Sequence, residues 1–62
     1  MKRREFIRYL AEHECALSHE TGKYSIFKNS ANGQEVPVTR HNEIAEFTVK
    51  KICRSLGIEP PH

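Results

Sequence analysis

Gly22-Lys23-Tyr24-Ser25-Ile26-Phe27-Lys28, followed by Asn29-Ser30-Ala31-Asn32-Gly33 and then Gln34-Glu35-Val36-Pro37-Val38-Thr39-Arg40-His41, is the stretch that decides the fold. Residues 23–28 and 34–38 hold the β-branched and aromatic side chains that suit strands, and the polar segment between them ends in Asn-Gly. That dipeptide favours a reversal between antiparallel strands, so the stretch reads as a hairpin. Pro37 has no N–H to give a neighbour, which predicts its strand at an edge of the sheet or near a strand end. Upstream, Thr21-Gly22 marks another tight connection, where glycine can take the positive φ that such turns demand. Residues 15–20, Cys-Ala-Leu-Ser-His-Glu, alternate loosely before that turn and predict a half-buried first strand.

On either side the apolar period changes. Phe6, Ile7 and Leu10, with Tyr9 on the flank, recur at three-to-four spacing and predict a helix over residues 3–13. Its other side is charged, with Arg4, Arg8 and Glu12 one turn apart. Beyond the polar link Thr39-Arg40-His41-Asn42, a second helix is predicted from Ala45, Val49, Ile52, Cys53 and Leu56, with Ile44 and Phe47 near its start. Gly57 suits the left-handed position after a helix, Ile58 can fold back toward Cys53 in a Schellman arrangement, and Pro60-Pro61 forbids continuation. Helix, three strands, helix is an α+β order. It predicts a three-stranded antiparallel sheet with both helices on one face, as in double-stranded-RNA-binding domains, and leaves the other face open to solvent or a partner.

A chain of 62 residues is expected to form a single domain over 1–62, with one small core. Apolar residues at 37% and charged residues at 29% fit a folded domain rather than a disordered tail. Ten Lys and Arg against eight acidic residues leave a net charge of +2, too mild for overall field to indicate a nucleic-acid partner. No stretch approaches the roughly 20 apolar residues of a membrane span, and the charged N-terminal region lacks the apolar run of a signal peptide. The expected setting is cytoplasmic, with no membrane partner, and the two cysteines, Cys15 and Cys53, are expected to be reduced thiols.

The glycine turn into a strand ending Ile26-Phe27, the Val36-Pro37 strand closing on Arg40-His41, Glu43-Ile44, and a helix ending Cys53-Arg54-Ser55-Leu56-Gly57-Ile58 follow a basic first helix in this order. The chain thereby resembles the HicA family of small bacterial toxins, and the resemblance covers nearly its whole length. It implies an mRNA interferase: an endoribonuclease that cleaves mRNA without metal or other cofactor and is held inactive by a HicB-type antitoxin. In that family a strand histidine follows the glycine turn and acts as base toward the ribose 2′-hydroxyl. At the matching position this chain has Tyr24.

The exchange bears directly on activity. Histidine, with an unperturbed pKa near 6.5, exchanges protons around neutrality, whereas only about a thousandth of an unperturbed tyrosine is ionised at pH 7. Tyr24 is therefore open to three readings: a disabled catalytic position in an inactive or weakened toxin; a proton donor or phosphate contact, with His41 or His19 as base; or a half-buried strand residue with a wet hydroxyl. If cleavage is lost, the chain is a non-catalytic module that binds RNA or antitoxin. His41, beside Arg40, is a second acid–base candidate, or else a surface histidine before the second helix. His19 is expected as a strand residue facing solvent, and His13 and His62 as terminal or surface groups.

Phosphate contacts need several cations. Lys23, Lys28 and Arg40 flank Tyr24 and are the expected RNA-binding residues. Further basic groups are Lys2, Arg3, Arg4 and Arg8 on the first helix and Lys50, Lys51 and Arg54 on the second, where interspersed glutamates make ordinary solvated faces an equal explanation. His13, Cys15, His19 and Cys53 do not follow a zinc-site spacing, so no metal site is expected; the cysteines read instead as small buried hydrophobes.

Overall fold

The computed structural model describes residues 1–61, so His62 lies outside the described residues. Five elements follow in the expected order: α1 (Arg3–Glu12), β1 (Cys15–Glu20), β2 (Tyr24–Asn29), β3 (Glu35–Thr39) and α2 (Glu46–Leu56). The strands form an antiparallel sheet in the order β1-β2-β3. Pro37 therefore sits on an edge strand, as its missing N–H requires. β2 and β3 each begin and end one residue later than the sequence pattern suggests.

Alternation along β2 and β3 decides which face is covered. Ser25, Phe27 and Asn29 are buried on β2, and Val36 and Val38 on β3, with Phe27 opposite Val36 and Ser25 opposite Val38. These residues share one face, since directly paired residues point the same way. α1 lies along β1 and contributes Phe6 and Leu10; α2 lies along β3 and contributes Val49, Ile52, Cys53 and Leu56. With Cys15 and Ile44 these side chains make one continuous core. Both helices thus cover the same face, and the α-β-β-β-α arrangement of double-stranded-RNA-binding domains results.

Three local devices hold the layers together. At the end of α2, Gly57 adopts φ 76°, its N–H reaches the Arg54 carbonyl at 3.1 Å, and the Ile58 N–H reaches that of Cys53 at 2.9 Å. That is the expected Schellman turn. The side chains of Asn29 and Asn32 both donate to the Leu56 carbonyl, at 2.8 and 2.9 Å, so the β2–β3 loop satisfies a carbonyl that the helix end leaves free. At the other end of the molecule, residues 1–3 pair with residues 42–44 through Arg3 N–H to Asn42 and Ile44 N–H to Met1, both at 2.8 Å.

The connections differ in how they turn. Gly33 takes φ 77°, as the Asn-Gly pair implies. Gly22 does not use a positive φ, contrary to expectation. Its hairpin is instead closed by Thr21, whose N–H donates to the Tyr24 carbonyl at 2.9 Å while its hydroxyl oxygen accepts the Tyr24 N–H at 3.0 Å. A threonine side chain here does the work assigned to the glycine.

Candidate functional site

β2 presents Tyr24, Ile26 and Lys28 to the face that no helix covers. They form a single row because strand side chains alternate and their neighbours Ser25, Phe27 and Asn29 point into the core. Across the sheet, Tyr24 pairs with Thr39, Ile26 with Pro37, and Lys28 with Glu35. Tyr24 is 42% exposed, which leaves its ring and hydroxyl accessible on the central strand. Lys23 is exposed in the turn immediately before it.

β1 completes this face through an irregularity that the sequence pattern did not reveal. Leu17 pairs with Phe27 and His19 with Ile26, so Ser18 is an extra residue in β1, a β-bulge. The bulge turns His19 to the open face, opposite Ile26, and its Nδ1 lies 3.3 Å from the Ser18 hydroxyl. Glu20 then points the other way, toward Ser25, whose hydroxyl donates to the Glu20 carboxylate at 3.1 Å. His19, Tyr24 and Lys28 consequently stand on one surface.

Arg40 is drawn into a different arrangement. Its guanidinium lies 3.3 Å from the Glu20 carboxylate and donates to the Thr21 carbonyl at 2.7 Å. Arg3 is engaged too, donating to the Ser25 hydroxyl and to the Thr39 carbonyl, both at 3.0 Å. The chain Arg3–Ser25–Glu20–Arg40 ties α1, the β1–β2 hairpin and the end of β3 together around Ser25, the residue that follows Tyr24. Arg40 thus supports the turn from which Lys23 and Tyr24 project, and its charge is partly met by Glu20. His41 is exposed beyond the end of β3 and takes no part in the strand pairing.

The remaining groups with sequence interest lie elsewhere. His13 ends α1, with its Nδ1 2.9 Å from the Tyr9 carbonyl and its ring stacked on Tyr9. The Tyr9 hydroxyl donates to the Glu59 carbonyl, and burial, reinforced by the nearby Cys53, raises its pKa. Cys15 and Cys53 are buried free thiols. Burial first, and the neighbouring Cys15 thiol second, push Cys53 up to about 11; burial and Glu14 push Cys15 up as well. Protonated thiols at neutral pH are poor nucleophiles, which places both cysteines in the core and outside any chemistry. Among the described residues no three His, Cys or acidic side chains converge as metal ligands, and no helix is long and apolar enough to cross a membrane.

The open face offers acid–base groups, a cation and an apolar platform, Ile26 beside Pro37, spread across the strands. Such a surface suits an extended, partly stacked ligand better than an enclosed small molecule. The family model described as HicA toxin of bacterial toxin-antitoxin matches residues 3–58. No curated protein and no solved structure matches the chain. Because the family match runs from the first residue of α1 through the Schellman turn that ends α2, it takes in every element that builds and braces this face, and the chain belongs to the HicA family of toxins from bacterial toxin–antitoxin systems.

Proposed function

We propose that this chain, acting as a single domain over residues 1–62, is an endoribonuclease that cleaves mRNA without a metal, slowed because Tyr24 stands where the family carries its catalytic histidine. The observation that carries this reading is the position of Tyr24: central strand, open face, accessible ring, next to Lys23 and in one row with Lys28. Lys23 and Lys28 contact phosphates there, while Arg40 acts mainly by holding the turn through Glu20 and Thr21. A phenol in place of an imidazole keeps the aromatic surface for a base to stack on but removes the histidine base, so turnover falls by about two to four decades, on the order expected for losing one general base. A HicB-type antitoxin covering this face silences the toxin in the cytoplasm.

The test is cleavage of a labelled messenger RNA, with chelator present, by the chain and by its Tyr24→His variant. Slow cleavage by the chain and cleavage roughly a hundredfold to ten-thousandfold faster by the variant is the expected result. Equal rates would move the chemistry away from position 24. If both proteins are folded and neither cuts, the alternative holds: a module that binds RNA or antitoxin without turnover.

A further inference from the structure

The β1 bulge has a chemical consequence. Were β1 regular, the residue opposite Ile26 would be Ser18, His19 would face inward opposite Ser25, and Glu20 would turn outward. The extra residue reverses this, placing the imidazole outside and the carboxylate inside, where Ser25 and Arg40 hold it. Bulges bend a strand and re-aim individual side chains in this way, and they are enriched beside active sites. His19 is exposed and stands opposite Ile26, which lies two residues from Tyr24 on one side and two residues from Lys28 on the other. Such diagonal neighbours have Cα atoms about 7–8 Å apart, within reach of aromatic and long side chains. The charged and titratable groups on this face are then His19, Tyr24, Lys28 and, one strand further, Glu35 opposite Lys28.

From this geometry we infer that His19 is the general base of the residual ribonuclease reaction, working with Tyr24 as the acid; the inference rests on the reading that this face cleaves RNA. The ribose 2′-hydroxyl gives its proton to the His19 imidazole as the 2′-oxygen bonds to the adjacent phosphorus. The bond from phosphorus to the 5′-oxygen breaks, its electron pair leaves on that oxygen, and the oxygen takes the proton of the Tyr24 hydroxyl. The products are a 2′,3′-cyclic phosphate and a 5′-hydroxyl, and solvent returns the proton from imidazolium to phenolate. Tyrosine suits this role because at neutral pH it holds the proton that an acid must deliver, whereas the base must be free to accept one. Lys28 supports the negative phosphate from the far side of His19.

The experiment follows a 5′-labelled single-stranded oligoribonucleotide, with chelator present, cleaved by the parent chain, His19→Gln, Tyr24→His and the His19→Gln/Tyr24→His double variant, with His13→Gln as a control outside the site. Thermal melts confirm folding of each, which an exposed position such as His19 makes straightforward. The parent is expected to yield cyclic phosphate ends, and His19→Gln to lose on the order of a hundredfold in rate while His13→Gln retains it. In the Tyr24→His background the same His19 change should cost at most about tenfold, because a second imidazole then stands on the face; a merely structural role would cost the same in both. Unchanged cleavage by His19→Gln overturns the assignment and leaves the ribonuclease reading intact. So does a parent that is inert while Tyr24→His cuts. Cleavage by none of the folded proteins overturns both.

Discussion

The two faces of β2 follow simple alternation at Phe27, which is buried, and Lys28, which is exposed, but depart from it at four other positions. Ser25 and Asn29 point into the core, while Tyr24 and Ile26 point out of it. Each inward polar group is fully engaged: Ser25 bridges Arg3 and Glu20, and Asn29 donates to Leu56 and accepts from the Ala31 N–H at 2.8 Å. Burying a hydroxyl or amide costs little once its partners are present. The outward aromatic and aliphatic groups have no covering element, and surfaces left in that state commonly serve a ligand. The comparison teaches that the polar–apolar alternation of β2 taken by itself does not fix its register. Phe27, Val36 and Val38 fix it, and the polar residues in phase with them become wiring.

The largest expected effect tests that division directly. Phe27→Ala should cost about 3–5 kcal/mol in urea denaturation, since it empties the centre of the covered face. Ile26→Thr, one residue away on the open face and still β-branched, should cost about 1 kcal/mol or less. Comparable losses at the two positions would break the distinction between a packed face and a free one.

A second measurement probes the covered face by pH. Cys53 is held protonated up to about 11, against an ordinary value of 9.0. The unfolded chain ionises this thiol first, so the stability it contributes is complete below pH 9 and is lost as pH rises toward 11, by about 2 kcal/mol. Cys53→Ala should flatten that alkaline limb. If the limb stays as steep, other groups account for it, with Cys15 and Tyr9, also raised, the first to consider.

The sequence made much of the fold legible because the strongest signals were local: the change of period between helices and strands, the Asn-Gly loop with Gly33 at φ 77°, and the Gly57 stop. That Lys23 and Lys28 flank Tyr24 along one strand could be read from the same local pattern, though not which of them share its face. What stayed hidden depends on contacts distant in sequence. The Ser18 bulge exists only relative to β2, and nothing in Leu-Ser-His-Glu announces it. Arg40 looked like a free cation because its partners, Glu20 and Thr21, lie about 20 positions earlier. Gly22 misled because a threonine hydroxyl closed the turn instead.

The joint between α2 and the β2–β3 loop offers a smaller perturbation. A Cβ at Gly57 would stand 2.7 Å from the Asn32 amide nitrogen, at a backbone position of φ 76°. Gly57→Ala should therefore cost about 1–2 kcal/mol through left-handed strain and displacement of Asn32 from the Leu56 carbonyl. Asn32→Ala combined with Gly57→Ala should cost less than the sum of the two, because the steric part vanishes with the amide. Strict additivity would show that the added methyl does not act through Asn32 and that the cost at Gly57 is backbone strain alone.

The smallest expected effect lies at Glu14, which has φ 64° between α1 and β1 and is the one non-glycine residue with positive φ among those described. This turn sets the phase in which β1 enters the sheet, so that Cys15 faces the core. The Glu14 carbonyl accepts the Ser30 N–H at 3.0 Å and the Ser30 hydroxyl at 3.2 Å, contacts that any residue can make through its backbone. Glycine at this position keeps both bonds and relieves the left-handed strain, whereas alanine keeps the strain and only removes the carboxylate. Glu14→Gly should therefore be about 1 kcal/mol more stable than Glu14→Ala in chemical denaturation, and close to or slightly above the parent once the added freedom of the unfolded chain is counted. An alanine variant as stable as the glycine variant would mean that this turn is unstrained, and that the phase of β1 is set by the bulge and the Cys15 contact alone.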